Sequence, residues 1–139
     1  PDILETPSRL LVVDDNPANR TIMGLLLGGI GMEIKYAENG QQAVDAVAEE
    51  SFDMILMDMQ MPVMDGLAAT RAIRAFEAES GRTPTTIVIL SANADGEHQR
   101  EGAEAGADGH IVKPVVLERL LEGMDLAFKR RRMAPDSPA

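Results

Sequence analysis

The sequence predicts an α/β fold: one five-stranded parallel sheet with helices on both faces. Three observations carry this expectation. Short aliphatic runs recur at Leu10–Val13, Met54–Met57, Thr86–Leu90 and His110–Val112, each the length of a buried parallel strand. Segments with helical apolar spacing separate them. The polar residues Asp14-Asp15, Asp58, Ser91 and Lys113 each follow one of these runs directly. They therefore fall at strand carboxyl ends, where open α/β sheets put their ligand sites.

The elements follow in order. Residues 1–8 read as a loose leader, with Pro1 and Pro7. The first strand is Arg9 to Val13. Asn16-Pro17 starts a helix, with Asn as cap and Pro in the first turn. Ile22, Leu25, Leu26 and Ile30 give that helix its expected apolar stripe, and Gly28, Gly29 and Gly31 end it. A second strand runs near Glu33 to Ala37, closed by the Asn39-Gly40 turn. Ala43, Val44, Val47 and Ala48 stripe the second helix. The third strand ends at Asp58, and a Met- and Pro-containing loop leads to Gly66. The third helix carries Leu67, Thr70, Ile73 and Phe76; Gly81 and Pro84 punctuate before the fourth strand. Asp95 to Ala105 is expected to be helical, yet it has almost no large apolar side chains, which makes it the least anchored element. After the fifth strand, Leu117, Leu120, Leu121, Met124 and Phe128 form the cleanest amphipathic stripe. Residues 129–139 read as a basic, Pro-containing tail, leaving 9–128 as the folded domain.

Five strand–helix repeats argue for a doubly wound, flavodoxin-like sheet. Strand two ends without a functional residue, whereas strands one, three, four and five each end in one. This fits strand order 2-1-3-4-5, with the site at the switch point between strands one and three.

Composition narrows the function. The chain has 139 residues, enough for one domain with a full core. It is 45% hydrophobic but only 3% aromatic, so nine Met must help to fill the core. The Met cluster around Asp58 is read as packing and loop anchoring, not as a soft-metal site. A net charge of -10 speaks against nucleic-acid binding by the folded body. There are no cysteines, which excludes disulfides, thiol catalysis and zinc-thiolate sites. No apolar stretch approaches the roughly 20 residues of a membrane span. A cytoplasmic setting is expected, with no membrane contact by this domain. The opening residue is Pro1, and the chain is expected to be a piece of something longer.

Taken singly, the polar residues have ordinary readings as helix caps, solvated turns or an exposed lysine. Converging at four strand ends, they make a hard-cation and phosphoryl site. Asp58 is the expected nucleophile, since a carboxylate can accept a phosphoryl group as an acyl phosphate. Asp14 and Asp15 would hold a divalent cation, Mg2+ or Mn2+, that cancels charge. Lys113 would serve the phosphoryl oxygens as a second cation, and Ser91 as a hydroxyl donor.

These residues lie in segments that resemble the response-regulator receiver domains of two-component signalling. The segments are Leu11-Val12-Val13-Asp14-Asp15-Asn16, Asp53 to Gly66, Ile89-Leu90-Ser91-Ala92 and Gly106 to Pro114. The resemblance spans roughly residues 8–130 and is nearest to receivers of hybrid sensor histidine kinases. It implies phosphorylation of Asp58 by a histidine kinase or a histidine phosphotransfer protein. It implies metal ligation by the side chains of Asp15 and Asp58, by Asp14 through water, and by the Gln60 carbonyl. It also implies a cis Lys113-Pro114 bond, a switch through Ser91 acting on the face of strands four and five and helix four, and a monomer or weak dimer. The chain departs from the family at His110, where Tyr or Phe usually stands, so the coupling of Ser91 to that face is expected to be altered. His98 reads as a solvated helix residue. The basic run Lys129 to Arg132 reads as a solvated helix end.

Two other functions were open on the residues. A magnesium-dependent aspartyl-phosphate hydrolase would place a second catalytic Asp where Gln60 stands. A pseudo-receiver would dock partners without being phosphorylated, which the intact set of five polar residues speaks against.

Overall fold

The structure is a computed structural model. It describes the backbone of residues 9–92 and 96–133, and all their side chains except those of Ile30, Arg132 and Met133. The expected leader, the remainder of the tail at 134–139, and Asp95 as a helix start lie outside the described residues.

Strands β1 (Arg9–Val13), β2 (Glu33–Ala37), β3 (Met54–Asp58), β4 (Thr86–Ser91) and β5 (Gly109–Val112) alternate with helices α1 (Pro17–Leu27), α2 (Gly40–Glu49), α3 (Gly66–Ser80), α4 (Gly96–Ala105) and α5 (Leu117–Met133). A short 3-10 turn, Gly28–Ile30, follows α1. All strand pairs are parallel, in the order β2-β1-β3-β4-β5. Fold class and strand order are as the sequence predicts.

Alternation along each strand divides the core in two. Leu10 and Val12 join Met54, Leu56, Val88 and Leu90 on the face covered by α1 and α5. Leu11 and Val13 join Ile55, Met57, Ile87 and Ile89 on the face covered by α2 and α3. Because β1, β3 and β4 are covered on both sides, they read as unbroken apolar runs rather than alternating ones. The methionines act as expected: Met54, Met57 and Met59 are buried, and Met61 and Met64 pack against the second cluster.

Caps set three helix starts. The side chains of Asn16, Asn39 and Asp65 accept from the backbone N–H groups of Ala18, Gln42 and Ala68. Helix α4 has only Gly102 and Ala105 buried among its described residues, in line with its expected thin anchoring.

Three expectations about helix surfaces are corrected. The stripe assigned to α1 is misplaced: Ile22 and Leu25 are exposed, while Met23 and Leu27 are buried and Leu26 packs beside them. On α2, Ala48 is exposed, while Ala43 and Val47 are buried and Val44 packs beside them. On α5, Leu117 at the head of the expected stripe is exposed, while Leu120 and Met124 are buried. A fourth correction concerns the carboxyl end. The segment read as a tail from residue 129 is helical as far as Met133. Two of its arginines are tied to the body, with Arg131 Nε donating to Asp108 Oδ1 at 2.9 Å and Arg130 reaching the Asp108 carbonyl at 3.4 Å. Arg131 is thus bound by a buried acid, while Lys129 and Arg130 stay exposed at the helix end as expected.

That acid belongs to a network at the amino-terminal edge of β4. Arg74 on α3 donates to Glu77 Oε1 at 2.8 Å, to Asp108 Oδ2 at 2.9 Å, and to the carbonyls of Thr85 and Gly106. Asp108 and Glu77 also accept from the backbone N–H groups of Ile87 and Thr85. Each buried charge therefore has an opposite charge and backbone donors, the condition under which burial is tolerated.

Candidate functional site

The carboxyl ends of β1, β3, β4 and β5 open into one crevice of about 260 Å3, lined by Asp15, Asn16, Asn19, Asp58, Met59, Gln60, Ser91, Ala92, His98 and Lys113. The fold thus brings together the acidic pair, Asp58, Gln60, Ser91 and Lys113. One oxygen from each of Asp14, Asp15 and Asp58 lies within 4.8 Å of the others. Asp14 and Asp58 are buried and Asp15 is exposed.

Each side chain has a local reason for its place. The Asp14 backbone N–H donates to the Ala37 carbonyl at 3.1 Å, continuing the β1–β2 ladder by one residue. Its Oδ1 accepts from the Asn16 N–H at 2.9 Å and from the Asn19 amide at 3.4 Å, and Arg20 holds its carbonyl at 2.7 Å. One Asp14 oxygen is thus committed to fixing the β1–α1 turn. The Met59 N–H donates to the Leu90 carbonyl at 2.9 Å, which secures the chain just beyond Asp58. Gly66 then closes the loop: its N–H donates to the Met59 carbonyl at 2.9 Å, and a Cβ there would lie 2.1 Å from the Asp58 carbonyl oxygen. Only glycine allows that approach. A second anchor is Gly40, whose N–H reaches the Met64 carbonyl at 3.1 Å.

Ser91 is buried at the end of β4, and its carbonyl accepts from the Lys113 N–H at 2.7 Å. The Lys113-Pro114 peptide is cis, as expected. The Lys113 ammonium lies between two carboxylates, 3.3 Å from Asp58 Oδ1 and 3.6 Å from Asp14 Oδ2.

Burial raises the Asp58 carboxyl above the usual carboxylate range, and the charge of Asp14 adds to the rise. Lys113 and the Gln60 backbone oppose it. Asp58 is thus a carboxylate short of positive charge. The three clustered acids offer oxygen ligands only, with room beside them. That set suits a hard divalent cation such as magnesium, which takes a few carboxylates and keeps waters.

The structure gives His98, expected as a solvated helix residue, a place in the site. His98 is half-buried on the first turn of α4 and lines the crevice. Local sequence held no signal of this, because α4 carries no large apolar residue to mark which side faces the body. Asn19 was also not singled out; its role depends on a contact across a turn. His110 pairs in register with Ile89 on β4 and is half-buried on the α4 side of the sheet, away from the crevice lining.

Residues 10–125 match the family described as the response regulator receiver domain. The chain is 43% identical over 122 residues to the sensor protein GacS of Pseudomonas syringae pv. syringae, covering 88% of this chain and 14% of that protein. It therefore spans a small part of this relative. Among solved structures, a chain in the co-crystal of the Saccharomyces cerevisiae phosphotransfer protein Ypd1 with the receiver domain of Ssk1 superposes with a TM-score of 0.83 at 30% identity, covering 94% of this chain and 95% of that one. The receiver domain of the sensor histidine kinase PA1611 from Pseudomonas aeruginosa PAO1 superposes at 0.77 with 33% identity, over 89% of this chain and 99% of that one; a magnesium ion is coordinated in its active-site cleft.

Proposed function

The chain belongs to the response-regulator receiver family of two-component signalling, and from that premise we propose that Asp58 accepts a phosphoryl group from a phosphohistidine. The observation that carries this reading is the crevice itself: three carboxylates within 4.8 Å of one another and one lysine set between two of them. An Asp58 oxygen bonds to phosphorus as the phosphorus–nitrogen bond of the donor breaks. The electron pair returns to the donor imidazole, and an acyl phosphate remains on Asp58.

The protein's part is positioning and charge. Lys113 moves from its shared place between Asp14 and Asp58 onto a phosphoryl oxygen. Ser91 donates its hydroxyl to another. The side chains of Asp15 and Asp58 and the Gln60 carbonyl would hold Mg2+ or Mn2+, and Asp14, one of whose oxygens accepts from Asn16 and Asn19, would contribute through water as the family resemblance implies. When bound, the cation neutralises charge on the transferring group. The magnesium ion in the PA1611 receiver supports the same assignment here.

The donor is a histidine kinase or a histidine phosphotransfer protein, a pairing that the Ypd1–Ssk1 complex supports. The likeness to GacS points to a hybrid sensor kinase as the parent chain. Such a domain works in the cytoplasm; among the described residues no helix is long and apolar enough to cross a membrane. Ser91 and His110 form the switch that turns phosphorylation into a change at β4, β5 and α4.

Phosphotransfer tests the reading. A phosphotransfer protein carrying labelled phosphohistidine should pass its label to this chain in magnesium. Label reaching Asp58→Asn to the same extent contradicts it.

A further inference from the structure

We propose that His98 is a phosphoryl-contacting residue, which donates a hydrogen bond to the group on Asp58, shields it from water and ties α4 to the phosphorylated state. The inference rests on phosphorylation of Asp58 as proposed above. Its ground is geometric. His98 shares the crevice with Asp58, Ser91 and Lys113, and it is the one lining residue supplied by α4.

A phosphoryl group brings nearly two negative charges and three strong acceptor oxygens into this small space. Lys113 is shared with Asp14 as well as Asp58, and Ser91 has a single hydroxyl. An imidazole offers an N–H donor in both its neutral and protonated forms, so the contact does not depend on titration. The helix that carries it is lightly held, with Gly102 resting on the Ile89 side chain. A contact at its first turn can therefore move the helix at low cost.

The same contact bears on the lifetime of the acyl phosphate. In hydrolysis a water oxygen bonds to phosphorus as the phosphorus–Oδ bond breaks. The electron pair returns to the Asp58 carboxylate, and the water's proton leaves with inorganic phosphate. A side chain held against the phosphoryl oxygens occupies part of the space through which that water arrives.

The test uses the 139-residue chain, phosphorylated with a small acyl phosphate in magnesium and freed of donor by desalting. Intact mass then follows loss of the group. His98→Ala is expected to lose it about tenfold faster, the scale of one hydrogen bond to a charged group. His98→Gln keeps an N–H donor and should decay at a rate nearer the parent's. Beryllofluoride should also shift the His98 ring nitrogen resonances in the parent chain. An unchanged or slower decay in His98→Ala overturns the proposal; slower decay would make the imidazole a base that activates water. Unmoved ring resonances overturn it too. If the parent chain takes no phosphoryl group, both readings fall; if it does and His98→Ala decays like the parent, only this one does.

Discussion

At the scale of single residues, Asp58 has conflicting demands. Burial and the neighbouring Asp14 penalise its charge, while Lys113 supports it. The folded chain holds the Asp58 proton to higher pH than the unfolded chain does. The stability this contributes is fully present below the ordinary carboxylate value of about 4 and is lost as pH rises through the raised folded value. In metal-free buffer, Asp58→Asn cannot ionise and should escape that loss. Its melting temperature relative to the parent should therefore climb as pH rises from the acidic side towards neutrality. A gap that stays constant across the range would show that Asp58 is not held against its charge. Most of the site was legible because Asp14, Asp15, Asp58, Ser91 and Lys113 each directly follow an apolar run, and a strand end fixes a residue's place in the sheet. His98 was not legible, since α4 carries no large apolar residue from which its crevice-facing side could be read.

At the scale of elements, the Arg74 network decides how α3, the α4–β5 turn and α5 hold together. Arg74→Ala leaves Glu77 and Asp108 buried, 3% and 5% exposed at their side chains, without their shared partner. Denaturant unfolding should register a loss of about 3–5 kcal/mol, the cost of stranding buried charge. Arg131→Ala should cost less, on the order of 1 kcal/mol, because Arg74 still pairs Asp108. Equal, negligible losses from both would reduce the network to surface decoration. Sequence placed Arg131 in a tail because nothing local marks Asp108 as its partner. The α1 stripe failed for a different reason. Ile22, Met23, Leu25, Leu26 and Leu27 make that helix apolar over most of its circumference, and periodicity alone could not choose the buried side. On α5 the stripe holds better: Leu120 and Met124 are buried and Leu121 and Phe128 pack beside them, while Leu117 and Leu126 are exposed.

For the whole molecule, the sheet joins four separate chain segments at one crevice, so site and fold are linked through whatever binds there. Three carboxylates that repel one another should be relieved by a divalent cation, which stabilises the folded state by mass action. At ten times its dissociation constant, magnesium adds about 1.4 kcal/mol, a rise of a few degrees in melting temperature. Asp15→Asn should abolish the rise, and a rise that persists in that variant would place the ion elsewhere. The strand order was readable because only a sheet with β2 at its edge brings the four functional strand ends together. The central claim is that Asp58 is the phosphoryl acceptor. Its most direct test is to incubate the chain with a small acyl phosphate and magnesium, trap the product with borohydride and map the peptides. The account predicts one modification, at Asp58, and none in Asp58→Asn; modification at another residue, or an unchanged yield in Asp58→Asn, would contradict it.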